Sequence, residues 1–200
     1  MRIGVFGGTF DPPHLGHLIL ACEAYDQLRL DKLLWVLTPD PPHKQGKLIS
    51  PDEIRLEMVL AAIQDEPVFE LSRVEIDRPG PQYAVDTIRL LHEQFPGAAL
   101  VYLIGGDSLQ NLPTWFRSQD LVEETDEFGV MHRPDELVDL THLETALPGI
   151  SAKVRFVNAP LLEISSSEIR ERANQGRPFR YYVSPAVYRI IQKRRLYRSE

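Results

Sequence analysis

Two histidines stand three residues apart near the start of the chain, in a segment that also contains three glycines. The segment is Gly7-Gly8-Thr9-Phe10-Asp11-Pro12-Pro13-His14-Leu15-Gly16-His17. An apolar run before it predicts a buried strand, and an amphipathic pattern after it predicts a helix. Gly7 and Gly8 allow a sharp turn and a close approach to a ligand, and Gly16 leaves room for a phosphate. Because His14 and His17 share one face at a helix start, where the dipole favours anions, the segment predicts a phosphate site with two imidazole donors.

A metal site and an ordinary helix cap are the alternatives for this segment. No HExxH motif, cysteine pair or nearby third ligand completes a metal site around His14 and His17. The segment also differs from the Walker loop, GxxxxGK[ST], and from the dinucleotide motif, GxGxxG. A lone histidine at a helix start is usually a capping or solvated residue. Two of them, with glycines and a preceding strand, favour the phosphate interpretation.

A second set of phosphate-binding residue types lies near the C-terminus, in Ile164-Ser165-Ser166-Ser167-Glu168-Ile169-Arg170. Serine hydroxyls and backbone N–H groups stand at a predicted helix start, and Arg170 could hold two phosphate oxygens with its planar fork. Alone, the S-x-x-E spacing is more typical of a capping box with a surface arginine. Together with the first segment it favours phosphate binding, because a triphosphate needs both of its ends held.

Both segments resemble signatures of one superfamily. The string G-G-T-F-D-P-x-H-x-G-H resembles the HxGH motif of nucleotidyltransferases, and the second segment resembles their I-S-S-T-x-I-R motif, with Ser167 in place of the usual Thr. These enzymes transfer a nucleoside monophosphate from ATP or CTP onto a phosphate or similar acceptor. The resemblance implies a Rossmann-like fold and an ATP site. The residues it assigns to that site are Gly7, Gly8, Thr9, Phe10, His14, His17, Gly105, Asp107, Ile164, Ser166, Ser167 and Arg170.

Three further stretches are similar to the nicotinate-nucleotide adenylyltransferases within that superfamily. They are Pro41-Pro42-His43-Lys44, then Gly105-Gly106-Asp107-Ser108-Leu109 with Pro113-Thr114-Trp115-Phe116, and finally Gln82-Tyr83-Ala84-Val85-Asp86-Thr87. Lys44 could neutralise phosphate charge or be a solvated loop lysine. Trp115 could stack on a pyridine ring or pack in the core. Asp107 could hold a ribose hydroxyl or a water of a metal ion.

The chain departs from the family at Ala84, where the usual residue is Thr. The resemblance implies that the backbone N–H groups of Ala84 and Phe116 bind the substrate carboxylate, so the change leaves these donors in place. A carboxylate only accepts hydrogen bonds, whereas the NH₂ of an amide would face a donor unpaired. That mismatch costs roughly 1–3 kcal/mol, or about ten- to a hundredfold in discrimination for nicotinate over nicotinamide.

The implied reaction is ATP plus nicotinate mononucleotide giving deamido-NAD and pyrophosphate. The implied catalytic residues are His17, His14, Lys44 and Arg170. The implied acceptor-binding residues are Gly8, Lys44, Tyr83, Ala84, Trp115 and Phe116. Mg²⁺ is expected as a cofactor bound with ATP, held by phosphates and waters rather than by protein ligands. Alternatives are an adenylyltransferase for nicotinamide mononucleotide or phosphopantetheine, a non-catalytic nucleotide-binding regulator, and an RNA-binding protein that uses its basic C-terminus.

Alternating patterns along the chain predict the elements that position these residues. Predicted strands are Ile3–Phe6, Leu33–Thr38, Leu100–Gly105, Phe128–Met131 and Val154–Val157. Predicted helices are Gly16–Leu28, Pro51–Gln64, Ala84–Phe95, Thr114–Glu123, Ser166–Gln175 and Pro185–Arg195. Ser50, Ser165 and Ser184 are predicted to cap the helices that follow them. We therefore expect an α/β fold, a Rossmann-like open parallel sheet with helices on both faces, in one domain over residues 1–200. A small helical part is expected over about 160–200, a functional loop over 39–50, and irregular structure over 133–150.

Composition agrees with a globular enzyme and limits its partners. The chain has 200 residues, 43% of them hydrophobic and 26% charged, which excludes global disorder. The formal net charge of −7 argues against a duplex-DNA binder, although residues 168–200 carry nine Lys/Arg against three Asp/Glu.

No apolar run approaches the roughly 18 residues of a membrane span. A single cysteine, Cys22, and a strand-like N-terminus lead us to expect a cytoplasmic protein. The expected partners are ATP and nicotinate mononucleotide, with no nucleic acid, no membrane and no identified protein partner.

Overall fold

The structure is a computed structural model that describes residues 1–39, 49–132, 138–160 and 162–198. Residues 40–48 lie outside the described residues, and with them the predicted P-P-H-K stretch and Lys44. In the described ranges, no helix is both long enough and apolar enough to cross a membrane. The expectation of one domain over residues 1–200 stays a prediction.

Six parallel strands form one sheet. They are β1 (Arg2–Gly8), β2 (Lys32–Leu37), β3 (Phe69–Ser72), β4 (Ala99–Gly105), β5 (Glu127–His132) and β6 (Val154–Asn158). Their order across the sheet is β3-β2-β1-β4-β5-β6, with every neighbouring pair parallel. This is the Rossmann order, and it confirms the predicted fold class. Successive strands are added on one side of β1 as far as β3, and on its other side from β4 to β6. The crevice where such folds bind ligands therefore lies at the carboxyl ends of β1 and β4.

Nine described helices flank the strands. They are α1 (Leu15–Gln27), α2 (Asp52–Ile63), α3 (Ala84–Gln94), α4 (Gly106–Asn111), α5 (Ser118–Glu124), α6 (Leu140–Ala146), α7 (Ile150–Lys153), α8 (Ser166–Asn174) and α9 (Pro185–Arg194). Short 3-10 turns lie at Leu112–Thr114 and Arg180–Tyr182. All six predicted helices are present. Each ends within one residue of its predicted end, and five of the six begin within one residue of their predicted start.

Two apolar layers sandwich the sheet, because alternate strand residues point to opposite faces. Val5 and Val36 belong to the cluster that contains Ile88 of α3, whereas Phe6 and Trp35 belong to the cluster that contains Ala21 of α1. A third cluster joins α2 to the C-terminal segment through Met58, Ile169, Phe179, Val187 and Ile191. The predicted C-terminal helical part is thus attached to the body of the fold through α2.

Several predicted boundaries are wrong for local reasons. The strand β3 was not predicted, because four residues at a sheet edge give too short an alternating pattern. The helix predicted over Thr114–Glu123 begins at Ser118, because Arg117 before it has a left-handed φ of 51°. The irregular structure predicted over 133–150 is also wrong in part. Helix α6 forms there, and the Asp139 side chain caps it by accepting from the N–H groups of Thr141 and His142.

The predicted helix caps differ in outcome. Ser165 accepts from the Glu168 N–H at 3.1 Å, and Ser184 accepts from the Val187 N–H at 3.3 Å, so both caps are confirmed. The cap predicted at Ser50 is wrong, because α2 begins one residue later, with Pro51 at the cap position.

Candidate active site

The predicted phosphate loop follows β1 and ends at α1, directly beside the carboxyl end of β4. Its first residues continue from Gly8, and Gly105 ends β4 in the neighbouring position of the sheet. Asp107 is exposed on the first turn of α4, just beyond Gly105. Because β1 and β4 are neighbours, the predicted nucleotide-binding residues that follow them lie at the same edge of the sheet, at the carboxyl ends of the strands.

His14 and His17 are in direct contact. Their rings stack with centroids 3.6 Å apart and an interplanar angle of 25°. His14 occupies the cap position of α1, and its backbone N–H donates to Nδ1 of His17 at 3.2 Å. Because Nδ1 accepts this hydrogen bond, the proton of a neutral His17 ring is on Nε2. The second imidazole is thereby held as an Nε2–H donor, which suits a phosphate oxygen.

Burial keeps the His14 ring uncharged. The residue is only 7% exposed, and loss of solvation lowers its pKa from 6.5 to about 4. Gly16 has a role here that the sequence did not indicate. A Cβ atom at Gly16 would lie 3.1 Å from the His14 ring, so this glycine makes room for the imidazole.

The C-terminal motif packs on the predicted phosphate loop. The Ser166 hydroxyl donates to the Pro12 carbonyl at 2.8 Å, and Nη1 of Arg170 donates to the Asp11 carbonyl at 2.7 Å. Nη2 of Arg170 donates to the Ser167 hydroxyl at 3.2 Å. Ser166 and Arg170 thus join two segments more than 150 residues apart. Ile164 lies close to the same junction, since its carbonyl would be 3.9 Å from a Cβ at Gly16.

The buried ring of Phe10 packs beneath this loop. Its φ of 48° lies in the left-handed region, which is costly for a bulky residue. Its ring is 2% exposed and packs 5.1 Å from the His17 ring and 5.0 Å from the Trp35 ring, between centroids. A Cβ at Gly8 would come within 2.8 Å of the same ring. The ATP contact predicted for Phe10 is therefore available to its backbone, while its side chain supports His17.

Arg55 is a residue that the sequence analysis missed. It is fully buried in α2, and its guanidinium donates to the carbonyls of Ser50, Thr9, Thr38 and Pro39 at 2.8–3.0 Å. It also pairs with Asp52 at 2.5 Å. One signal was present, because Arg55 lies in line with the buried residues Met58 and Val59 of an amphipathic helix.

Two of the predicted acceptor residues, Tyr83 and Phe116, are in direct contact. Their rings stack with centroids 4.0 Å apart, which joins the start of α3 to the segment that follows the 3-10 turn at Leu112–Thr114. Ala84 is the first residue of α3, where backbone N–H groups have no intrahelical acceptor. Trp115 is partly buried against the core and meets Tyr102 edge-on at 6.4 Å, so core packing accounts for part of its role.

A buried carboxyl group supports this acceptor side, and the sequence analysis missed it too. Glu75 is 6% exposed and accepts from the Thr87 hydroxyl at 2.7 Å. Arg78 donates to Thr87 at 3.3 Å and to the Tyr83 carbonyl at 3.1 Å. Burial raises the pKa of Glu75. These contacts fix the start of α3, where Tyr83 and Ala84 lie.

Comparison with known proteins agrees with this geometry. The cytidylyltransferase-like family matches residues 5–172. A Thermomicrobium roseum protein named "probable nicotinate-nucleotide adenylyltransferase" is 42% identical over 198 residues, covering 99% of this chain and 92% of its relative. A Thermus thermophilus protein of the same name is 42% identical and covers 99% and 100%. The chain belongs to the nicotinate-nucleotide adenylyltransferase family.

Solved structures agree with this assignment at the level of the fold. The Plasmodium falciparum nicotinic acid mononucleotide adenylyltransferase complexed with NaAD superposes with a TM-score of 0.80 and 21% identity, over 98% of this chain and 97% of that one. This likeness shows that the two proteins share a fold.

The buried position of Arg55 makes its replacement costly. Arg55→Met keeps most of the side-chain volume but leaves four carbonyls without their donor. We expect a loss of about 3 kcal/mol or more in the free energy of unfolding, measured by urea denaturation. Arg73→Met, which removes an exposed ion pair with Asp77, should cost less than about 1 kcal/mol. Equal losses in the two variants would contradict the role given to Arg55.

The buried His14 ring predicts a specific loss of stability in acid. Its pKa in the folded state, about 4, lies below the ordinary 6.5, so the unfolded chain binds the proton more readily. Stability is therefore unaffected above about pH 6.5 and falls as the pH drops from there towards 4. Relative to His14→Asn, the wild type should lose on the order of 3 kcal/mol over that range, measured by urea unfolding. His142→Asn removes an exposed ring and should follow the wild type.

Proposed function

We propose that this chain transfers the AMP group of ATP to nicotinate mononucleotide, forming deamido-NAD and releasing pyrophosphate. The observation that carries the proposal is the junction of the two phosphate motifs, in which Ser166 and Arg170 bond the carbonyls of Pro12 and Asp11. Membership of the family supports the choice of acceptor. Together, these two observations favour a catalyst over a nucleotide-binding regulator.

The reaction needs no covalent enzyme intermediate. A 5′-phosphate oxygen of the mononucleotide attacks the α-phosphorus of ATP in line and forms the new P–O bond. The bond between that phosphorus and the oxygen bridging to the β-phosphate breaks, and pyrophosphate leaves with the electron pair. Catalysis then depends on positioning and on stabilising the charge that develops on the phosphates.

Each imidazole is suited to a different part of this task. His17, with its proton on Nε2, donates to the α-phosphate as negative charge accumulates there. His14 is neutral at physiological pH, so it contributes a polar contact to the β- and γ-phosphates and no charge. The positive charge at that end comes from Arg170, beside the hydroxyls of Ser166 and Ser167. A role for Lys44 between the substrates stays a prediction.

Mg²⁺ enters this scheme as part of the substrate, bound to ATP. Among the described residues, no group of three or more His, Cys, Asp or Glu side chains forms a metal cage. The donors at the loop junction are imidazole, hydroxyl and guanidinium groups, which match phosphate oxygens better than they match Mg²⁺. Phosphates and waters would therefore hold the ion, with exposed Asp107 near the same edge.

The acceptor side fits a carboxylate-bearing ring. The Tyr83–Phe116 stack brings the Ala84 and Phe116 backbones into one region, as binding of a carboxylate by both N–H groups requires. Glu75 and Arg78 hold that region from within the fold. We infer further that the protein acts in the cytoplasm, without nucleic acid, in keeping with its acidity and single cysteine.

Loss of His17 should affect the chemical step. In His17→Ala, we expect kcat to fall about 10²- to 10³-fold with a much smaller rise in KM, because the lost contact strengthens only in the transition state. The measurement is pyrophosphate release at saturating ATP and Mg²⁺. His142→Ala, on an exposed helix face, serves as the control. A near-normal kcat in His17→Ala would rule out this role.

Acceptor choice tests the proposed reaction directly. Pyrophosphate release should be about ten- to a hundredfold more efficient with nicotinate mononucleotide than with nicotinamide mononucleotide, by the cost of an unpaired donor. Phosphopantetheine should give none. Equal kcat/KM for the two pyridine nucleotides would contradict the roles of Ala84 and Phe116. Turnover with phosphopantetheine alone would contradict the proposed reaction.

A further inference from the structure

We propose that Tyr197 is a positioning residue for the ATP site, acting through Asp11. The Tyr197 hydroxyl donates to Oδ1 of Asp11 at 2.6 Å. The inference rests on the proposed function, since the site it serves is the one assigned to ATP. The side chain of neither residue has a role in the proposed function, and Tyr197 lies 186 residues from its partner.

Asp11 is a buried carboxylate that needs donors. It is only 3% exposed, and a charged group removed from water must be hydrogen-bonded to remain stable. Tyr197 serves Oδ1, and the Ser50 backbone N–H serves Oδ2 at 3.1 Å. Burial and the negative charge of Asp11 raise the pKa of Tyr197, so its hydroxyl remains a donor at physiological pH. Removing that hydroxyl would leave half of the carboxylate without a described donor.

The backbone of Asp11 is the point on which the ATP site converges. Its carbonyl accepts from Arg170, and the next carbonyl, of Pro12, accepts from Ser166. His14 follows two residues later. A shift of Asp11 would therefore move Arg170, Ser166 and His14 together, and small displacements of such groups are costly to catalysis.

The chain is bent to bring Tyr197 to this position. After α9 ends, Arg195 and Tyr197 both have left-handed φ values, 52° and 63°. Such conformations are unfavourable for residues with a Cβ and persist where the surroundings hold them. The hydroxyl also lies 3.8 Å from Sδ of Met58 in α2, so the ring is inserted between the C-terminal cluster and the phosphate loop.

Two explanations of Tyr197 make different predictions. If its ring only fills space in the cluster of α2, α8 and α9, Tyr197→Phe keeps that ring and leaves the kinetics unchanged. If the hydroxyl positions Asp11, the same variant weakens the ATP side of the reaction. It leaves the choice between the two pyridine nucleotides as it is, because Ala84 and Phe116, the residues assigned to the carboxylate, lie on α3 and after the 3-10 turn at 112–114.

The experiment compares Tyr197→Phe with Val187→Ala, which weakens the same C-terminal cluster without touching Asp11. We expect Tyr197→Phe to lower kcat/KM for ATP about 10-fold, the size expected for a hydrogen bond to a charged group. Its nicotinate-to-nicotinamide ratio should stay within about twofold of the wild type. Val187→Ala should keep wild-type kcat/KM despite a lower melting temperature. Unchanged ATP kinetics in Tyr197→Phe, or an equal loss in Val187→Ala, would overturn the proposal.

A double-mutant cycle tests whether Tyr197 acts through Asp11. Combined with Asp11→Asn, Tyr197→Phe should add little further loss, because the two changes disrupt one contact. Fully multiplicative losses would contradict the coupling.

Calorimetric binding of an α,β-methylene ATP analogue gives a readout that does not depend on the acceptor. Wild-type protein that binds the analogue but turns over no acceptor would refute the proposed reaction, while the affinity of Tyr197→Phe would still decide the role of Tyr197.

Discussion

The guanidinium of Arg55 is the interaction on which the geometry of the site depends. It reaches the end of β1 through Thr9, the end of β2 through Thr38 and Pro39, and the segment before its own helix through Ser50. These carbonyls belong to three separate stretches of chain that lie just outside the strands and helices. A planar group with five N–H donors can satisfy several of them at once, which a lysine could not do with the same geometry. The loop after β1 is therefore anchored before any ligand arrives.

Charge is distributed unevenly over the two sides of the proposed ATP site. Burial makes His14 neutral, whereas the guanidinium of Arg170 in α8 is partly accessible. The first loop thus supplies hydrogen-bond geometry and the C-terminal motif supplies positive charge. Under the proposed function, a triphosphate would need both segments, and the packing of Ser166 and Arg170 on the loop holds the two segments together.

Features that depend on residues close together in the sequence could be predicted, and features that depend on distant residues could not. The fold class and the caps at Ser165 and Ser184 were predictable, because they rest on local patterns and on resemblance. Phosphate binding by the two motifs stays a prediction. Strand β3 was too short to give a pattern. The partners of Arg55 were not predictable because they are backbone carbonyls. Every residue has one, so residue types do not show which carbonyls the guanidinium will bind.

The contact between Asp11 and Tyr197 escaped prediction for a related reason. It joins residues at opposite ends of the chain, and nothing in the local sequence of either one indicates the other. At Gly16, the sequence indicated that a small residue was needed but did not indicate which neighbour needed the space. Its smallness was expected to serve the ligand, yet the structure uses it for the ring of a neighbouring histidine.

The long separation between the two phosphate motifs has a consequence for how the protein is made. All six strands end by Asn158, so a ribosome has synthesised the whole sheet before it reaches Ser166, Arg170 or Tyr197. A growing chain at that stage contains the histidine loop but lacks the residues that pack on it. Contacts between such distant positions also form late, since closing large loops is entropically costly. The sheet can therefore be translated in full before the proposed ATP site is complete, and that site is completed only with the last helices.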